Sequence, residues 1–162
     1  MSIDKPKVAI IMGSDSDLPI VLKTIKILKE FKVDFEIRVL SAHRTPEATA
    51  VYAKKAEESG FELIIAAAGK AAHLPGVLAA YTVLPVIGIP VKSSTLDGMD
   101  SLLSIVQMPS GIPVATVGID AAENAGLLAV EILSLKYEYL KEAMKSYRKK
   151  MQEDVARKDE KI

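Results

Sequence analysis

Short apolar runs alternate with helical patterns along most of this chain. Continuous apolar runs at 8–12 and 63–67 predict strands that are buried on both faces. Between them, apolar residues recur every three or four positions over 17–31, which predicts an amphipathic helix, and 33–40 alternates like a half-buried strand. This order of elements favours a three-layer α/β domain with a parallel sheet.

The alternation continues toward the C-terminus. Thr45 is a suitable N-cap for a helix over 46–59, and Gly60 is a suitable C-terminal stop. The remaining predicted elements are a small-residue helix at 77–81, a strand at 83–89 closed by Pro90, a helix at 96–107, a strand at 113–117 and a helix at 121–134. Right-handed crossovers would bring the turns that follow four strands to one edge of the sheet, where ligands bind in such folds. Those turns lie at Gly13, Ser41, Ala67 and Val91.

The C-terminal segment has a different pattern, because it is heavily charged apart from one apolar stripe. The stripe consists of Leu140, Met144, Tyr147, Met151 and Val155. It predicts a long helix over 137–158 with more apolar surface than one small domain needs, and hence packing on a neighbouring subunit. The alternative is a helix folded over its own sheet.

Composition narrows the class of protein. The chain of 162 residues fits one domain, and its 21 Lys and Arg balance its 21 Asp and Glu, which gives no reason to expect a nucleic-acid partner. It has no cysteine and only two histidines, so thiolate chemistry is excluded and metal sites are restricted. The polar N-terminus does not resemble a secretory signal, and no apolar stretch is long enough to span a membrane, so we expect a cytoplasmic protein.

Three segments at the predicted sheet edge carry candidate chemistry. Residues 13–17 (Gly-Ser-Asp-Ser-Asp) open a helix, where hydroxyls and free amides can bind a phosphate, although Ser16 or Asp17 could equally be simple caps. His43 can carry a proton near neutral pH, and the adjacent Arg44 offers a planar fork to an anion; a solvated histidine is the alternative. The small residues of 69–76 would let backbone approach a ligand closely beside His73.

Four segments together resemble the PurE family of aminoimidazole ribonucleotide mutases and carboxylases. They are 12–17 (MGSDSD), 41–46 (SAHRTP), 71–76 (AAHLPG) and 104–109 (SIVQMP). The resemblance runs from about 7 to 134. It implies a flavodoxin-like catalytic domain over 1–134, a C-terminal helical extension over 135–162 that embraces neighbouring subunits, and a homo-octamer with active sites at subunit contacts. It also implies that no metal or organic cofactor takes part.

The resemblance further implies roles for individual residues. Ser14, Ser16 and Arg44 would bind the phosphate of the ribonucleotide, Asp17 would accept bonds from ribose hydroxyls, and His43 would be the general acid and base. Carbon dioxide would form transiently and be held by the small-residue loop. The other residues expected to contact substrate are Ser41, Ala42, Gly69, Lys70, Ala71, His73 and Leu74.

The direction of the chemistry stays open between two related enzymes. A mutase would move a carboxylate from the exocyclic nitrogen to the ring carbon of the imidazole, and a carboxylase would add carbon dioxide directly. Lys70 replaces a glycine that is usual in bacterial mutases and is typical of the carboxylases, whereas His73 and the Leu-Pro that follows it favour the mutase. A non-enzymatic flavodoxin-like binding module is a poorer interpretation, since 66–68 (Ala-Ala-Ala) lacks the acidic residue of a phosphorylated receiver.

Overall fold

The computed structural model describes residues 5–161 and contains one parallel sheet with helices on both faces. The strands are Lys7–Met12 (β1), Asp34–Val39 (β2), Leu63–Gly69 (β3), Val86–Val91 (β4) and Ala115–Thr116 (β5). The α-helices are Leu18–Glu30 (α1), Pro46–Lys55 (α2), Leu74–Ala79 (α3), Met99–Val106 (α4), Ala122–Leu133 (α5) and Glu138–Asp159 (α6). The strand order β2-β1-β3-β4-β5 is that of the flavodoxin-like fold. The predicted fold class is therefore confirmed.

The sheet is buried because its central strands are apolar on both faces. The side chains of β3 from Leu63 to Ala67 have no exposed surface. Alternate residues of β1 and β3 enter two separate clusters, one under α1, α5 and α6 and the other under α2, α3 and α4. These clusters are the two interfaces of a three-layer domain.

Strand β4 begins and ends later than predicted. It starts at Val86 and continues through Pro90 to Val91, so Pro90 does not close it. The carbonyl of Pro90 accepts a bond from the amide of Asp120, on the side where β5 has already ended after Thr116. In a β-strand the nitrogen and the carbonyl of one residue face the same neighbouring strand, so the nitrogen of Pro90 faces the side where β5 has ended. No strand there needs a bond from it, and the missing N–H of Pro90 removes no bond from the ladder. Strand β5 is only two residues long, instead of the predicted five.

Helix α3 spans Leu74–Ala79 instead of the predicted 77–81, and helix α2 differs from the prediction in its end and its cap. Helix α2 ends at Lys55, and turns continue to Gly60, which has the left-handed φ of 81°. Thr45 precedes α2 but makes no side-chain capping bond. Its hydroxyl accepts from the amide of Ser41 at 2.9 Å and lies 3.1 Å from the Ser41 carbonyl. Thr45 therefore closes the loop after β2 through local bonds to Ser41, which occupy the hydroxyl that would otherwise cap the helix.

Helix α6 uses its apolar stripe in two ways. Leu140 and Met144 are buried in the core cluster shared with α1 and α5, and Tyr147 packs on Phe31 with ring centroids 5.6 Å apart. Met151 and Val155, one and two turns further on, are 52% and 65% exposed. They border a groove of about 1000 Å³ between α5 and the distal half of α6. Within residues 5–161, no helix is both long and apolar enough to cross a membrane.

Candidate active site

A cleft of about 590 Å³ opens at the carboxyl edge of the sheet, across the ends of β2, β1, β3 and β4. All of the predicted site residues except His73 line it. They are Ser14, Ser16, Asp17, Ser41, Ala42, His43, Arg44, Gly69, Lys70, Ala71 and Leu74. The cleft contains residues separated by up to eighty positions in sequence, from Gly13 to Ser93, because four crossover loops meet at this edge.

The loop after β1 is a compact turn with its hydroxyls facing the cleft. Ser14 caps a short 3₁₀-helix over Asp15–Asp17, with its side-chain oxygen 3.3 Å from the amide nitrogen of Ser16. In return, the amide of Ser14 donates to the carboxylate of Asp17 at 3.2 Å. The cap of this short helix is thus a reciprocal Ser14–Asp17 capping box. Asp17 also occupies the N-cap position of α1, as one alternative had it, but its side chain makes no capping bond there.

Asp17 has a perturbed carboxyl group. The residue is only 8% exposed. Burial raises the pKa of its carboxyl above the ordinary value, the nearby charge of Asp15 raises it further, and the bond from the Ser14 amide partly opposes both effects. A desolvated carboxylate with one bond satisfied retains acceptor capacity for ligand hydroxyls.

The loop after β2 places a guanidinium beside the first loop. Arg44 donates to the carbonyl of Gly13 at 3.1 Å, which holds its side chain across the end of β1. The amide of Arg44 donates to the hydroxyl of Ser41 at 3.2 Å. Ser14, Ser16 and Arg44 therefore form one pole of the cleft, with two hydroxyls and a fixed positive charge.

The two histidines of the chain contact each other. The Nε2 atom of His43 lies 2.8 Å from the Nδ1 atom of His73, and the rings meet edge to face at 81°. One ring must donate and the other accept, so the pair holds one shared hydrogen. His73 thus lies just outside the cleft lining and contacts the site by its hydrogen bond to His43. Both histidines are exposed in the single chain, and so are Lys70 and Ala71, so this chain alone does not enclose the small-residue loop that is expected to hold carbon dioxide.

The opposite pole of the cleft carries two lysines. Lys70 follows β3 with a left-handed φ of 55°, and Lys92 follows β4. Both line the cleft, together with Ser93. Lys92 and Ser93 were missed as site residues because the predicted strand stopped before Pro90. The available signal was the expected turn at Val91, on the same sheet edge as the other site loops.

These residues can bind anionic groups at the two poles of the cleft, and the two histidines can transfer a proton to and from a bound ligand. No three His, Cys, Asp or Glu side chains within 5–161 are grouped as a metal site requires. The fold and the cleft define a flavodoxin-like α/β protein whose hydroxyl, guanidinium, ammonium and imidazole groups meet at the carboxyl edge of its sheet.

Comparison with known proteins identifies the family. The model of the family described as AIR carboxylase matches residues 7–154, and the chain belongs to that family. The N5-carboxyaminoimidazole ribonucleotide mutase of Pyrococcus abyssi is 64% identical, over 93% of this chain and 87% of its own length. The enzyme of the same name from Pyrococcus horikoshii is 60% identical, over 100% of this chain and 92% of its own. The crystal structure of Treponema denticola PurE has a TM-score of 0.90 at 33% identity, covering 98% of this chain and 99% of that one.

Proposed function

We propose that this protein is an N5-carboxyaminoimidazole ribonucleotide mutase of purine biosynthesis. It moves the carboxylate from the exocyclic nitrogen to the adjacent ring carbon and yields 4-carboxy-5-aminoimidazole ribonucleotide. The names of relatives that are similar over nearly the whole chain support this assignment. The structural observation that carries it is the pair of imidazoles 2.8 Å apart, beside a cleft with a hydroxyl-and-guanidinium pole.

The ribonucleotide would bind with its phosphate at the pole formed by Ser14, Ser16 and Arg44. Hydroxyls, free amides at a helix start and a guanidinium are suitable donors for a phosphate. The buried carboxylate of Asp17, which bonds one amide, would accept bonds from the ribose hydroxyls. The imidazole ring then extends toward His43 and toward the small residues Gly69 and Ala71, with Leu74 below them.

His43 would carry one proton through the reaction. It donates this proton to the exocyclic nitrogen as the nitrogen–carbon bond breaks and carbon dioxide leaves, which restores a neutral amine. Carbon dioxide then bonds to the ring carbon, and His43 removes the proton of that carbon as the ring regains aromaticity. The proton given in the first step is recovered in the second, so His43 returns to its starting state. His73 orients the ring of His43 through their shared hydrogen.

We further propose that neighbouring subunits close the site. Free carbon dioxide would escape from an open cleft. Holding it against the ring lowers the activation barrier by several kcal/mol. Residues 1–134 would form the catalytic domain, and the extension over 135–162 would pack on neighbouring chains in a homo-octamer. The apolar groove beside Met151 and Val155 is a suitable contact surface. The assembly would act in the cytoplasm on its small-molecule substrate, without a nucleic acid or membrane partner.

Direct carboxylation is the second candidate, and Lys70 is the observation that favours it. A cation in the cleft could attract bicarbonate or stabilise a carboxylate formed from free carbon dioxide. A flavodoxin-like binding module without catalysis is a third possibility, but it leaves the contact between the two histidines without a use.

One assay separates these functions. Purified protein receives either the carbamate substrate without bicarbonate or the bare aminoimidazole ribonucleotide with bicarbonate, and turnover is compared. A mutase turns over efficiently in the first arm, and a carboxylase only in the second. Absence of turnover in both arms would indicate a binding module.

A further inference from the structure

Lys92 is a charged side chain in the cleft to which the mechanism above gives no role. Its ammonium group lies 3.1 Å from the carboxylate of Asp97, and the two side chains are 56% and 86% exposed. An exposed ion pair contributes little to stability, so a ligand anion can displace the carboxylate at small cost. In the free protein, Lys92 is therefore a cation held in place by a weak and exchangeable partner.

The position of Lys92 is determined by the register of the sheet. Gly69 of β3 pairs with Val91 of β4, and each is followed directly by a lysine. The two strands are neighbours, about 4.8 Å apart as hydrogen-bonded strands are, so Lys70 and Lys92 leave the sheet side by side. Both lysines line the cleft, and among residues 5–161 Lys70 has no carboxylate within ion-pair distance.

A buried serine keeps Lys92 and Asp97 together. The hydroxyl of Ser101, on α4, lies 3.0 Å from the carbonyl oxygen of Val91 and 2.8 Å from that of Gly98. It thereby joins the two ends of the 92–97 loop. Near its end, Leu96 and Asp97 both adopt left-handed backbone angles, with φ of 53° and 51°. Residues other than glycine seldom adopt such angles, which cost roughly 1 kcal/mol or more each, so the surrounding contacts must hold the loop in this shape.

The cleft therefore has two cationic poles separated by the width of the sheet centre. Arg44 and the serine hydroxyls lie at the end of β1, and the two lysines lie at the ends of β3 and β4. Two strand spacings separate β1 from β4, roughly 10 Å. A carboxylated imidazole ribonucleotide has two anionic groups, a phosphate and a carboxylate, with a ribose and an imidazole ring between them. The charges of this substrate thus match the two poles.

We infer that Lys92, together with Lys70, binds the carboxylate of the imidazole ribonucleotide. Asp97 pairs with Lys92 in the free protein, and the carboxylate of the ligand displaces Asp97 on binding. This inference rests on the function proposed above and adds a residue that distinguishes carboxylated from uncarboxylated ligands. Lys92 is a specificity-determining residue, since it contacts the group by which substrate and product differ from the bare aminoimidazole ribonucleotide.

The test compares two ligands that differ only in the carboxylate. Dissociation constants for 4-carboxy-5-aminoimidazole ribonucleotide and for 5-aminoimidazole ribonucleotide are measured by calorimetry on the wild type, Lys92→Gln, Asp97→Asn and the control Lys26→Gln. Lys26 is an exposed lysine on α1, outside the cleft lining. We expect Lys92→Gln to weaken the carboxylated ligand about 10-fold, as for a partly exposed charge-assisted bond, and to leave the other ligand unchanged.

Asp97→Asn removes the competing anion and should tighten the carboxylated ligand about two- to threefold, since the pair it breaks is a weak exposed one. The control should match the wild type. Equal weakening of both ligands in Lys92→Gln would mean that Lys92 binds the phosphate, and no change in either would mean that it binds neither group; each result overturns the inference. If the wild type bound neither ligand, the proposed function itself would fail.

Discussion

The contact between His43 and His73 leads to a quantitative prediction for His73→Ala. The substitution removes the ring nitrogen that lies 2.8 Å from His43 Nε2 and puts no other hydrogen-bonding group in its place. It should leave the fold intact, because His73 is exposed and makes no side-chain capping bond at the start of α3. The change therefore isolates the orientation of His43 from the stability of the loop.

The expected loss follows from the hydrogen bond. A bond to a charged group contributes about 1.5–3 kcal/mol, and each 1.4 kcal/mol corresponds to a factor of ten. If His43 must be charged and oriented in the transition state, His73→Ala should lower kcat by about 10- to 100-fold with little change in KM. His43→Asn removes the acid–base group itself and should lower kcat by at least about 100-fold.

The two substitutions should not act independently. Because His73 works only through His43, the double variant should be as slow as His43→Asn alone. Steady-state turnover of the carbamate substrate gives the rates, and thermal melting verifies that each variant folds. Two results would refute this reasoning: a loss of less than twofold in His73→Ala, or a double variant whose loss equals the product of the two single losses.

Two further predictions concern stability and assembly. Asp17→Asn should raise the melting temperature at neutral pH, because the raised pKa of Asp17 means that its charged form opposes folding. This gain in melting temperature should vanish as the pH falls below the ordinary carboxyl pKa. Binding of the ribonucleotide should weaken at every pH. A melting temperature at pH 7 equal to or below that of the wild type would contradict the role of burial. The double variant Met151→Glu, Val155→Glu should form a smaller assembly in sedimentation, with unchanged helix content. The control Lys150→Glu, outside the groove lining, should keep the assembly size of the wild type. An unchanged size in the double variant would exclude this groove as an interface.

Local sequence patterns were sufficient to predict the type and order of the elements and the edge of the sheet that carries the site. Apolar runs such as 63–67 predict buried strands because every side chain of a central parallel strand meets a helix layer. The crossover rule then places the loops after these strands together, so the cleft with Ser14, His43 and Lys70 could be anticipated from chain order. The resemblance to a known family supplied the chemistry assigned to these residues.

The tertiary structure decided which side chains contact one another. His43 and His73 are thirty residues apart, and nothing in either segment indicates a 2.8 Å approach. Lys92 enters the cleft because β4 continues through Pro90, which is tolerated only where β5 has ended. Periodicity reports the average burial of a segment, whereas contacts between loops depend on strand order and register, which are determined only when the whole sheet is assembled.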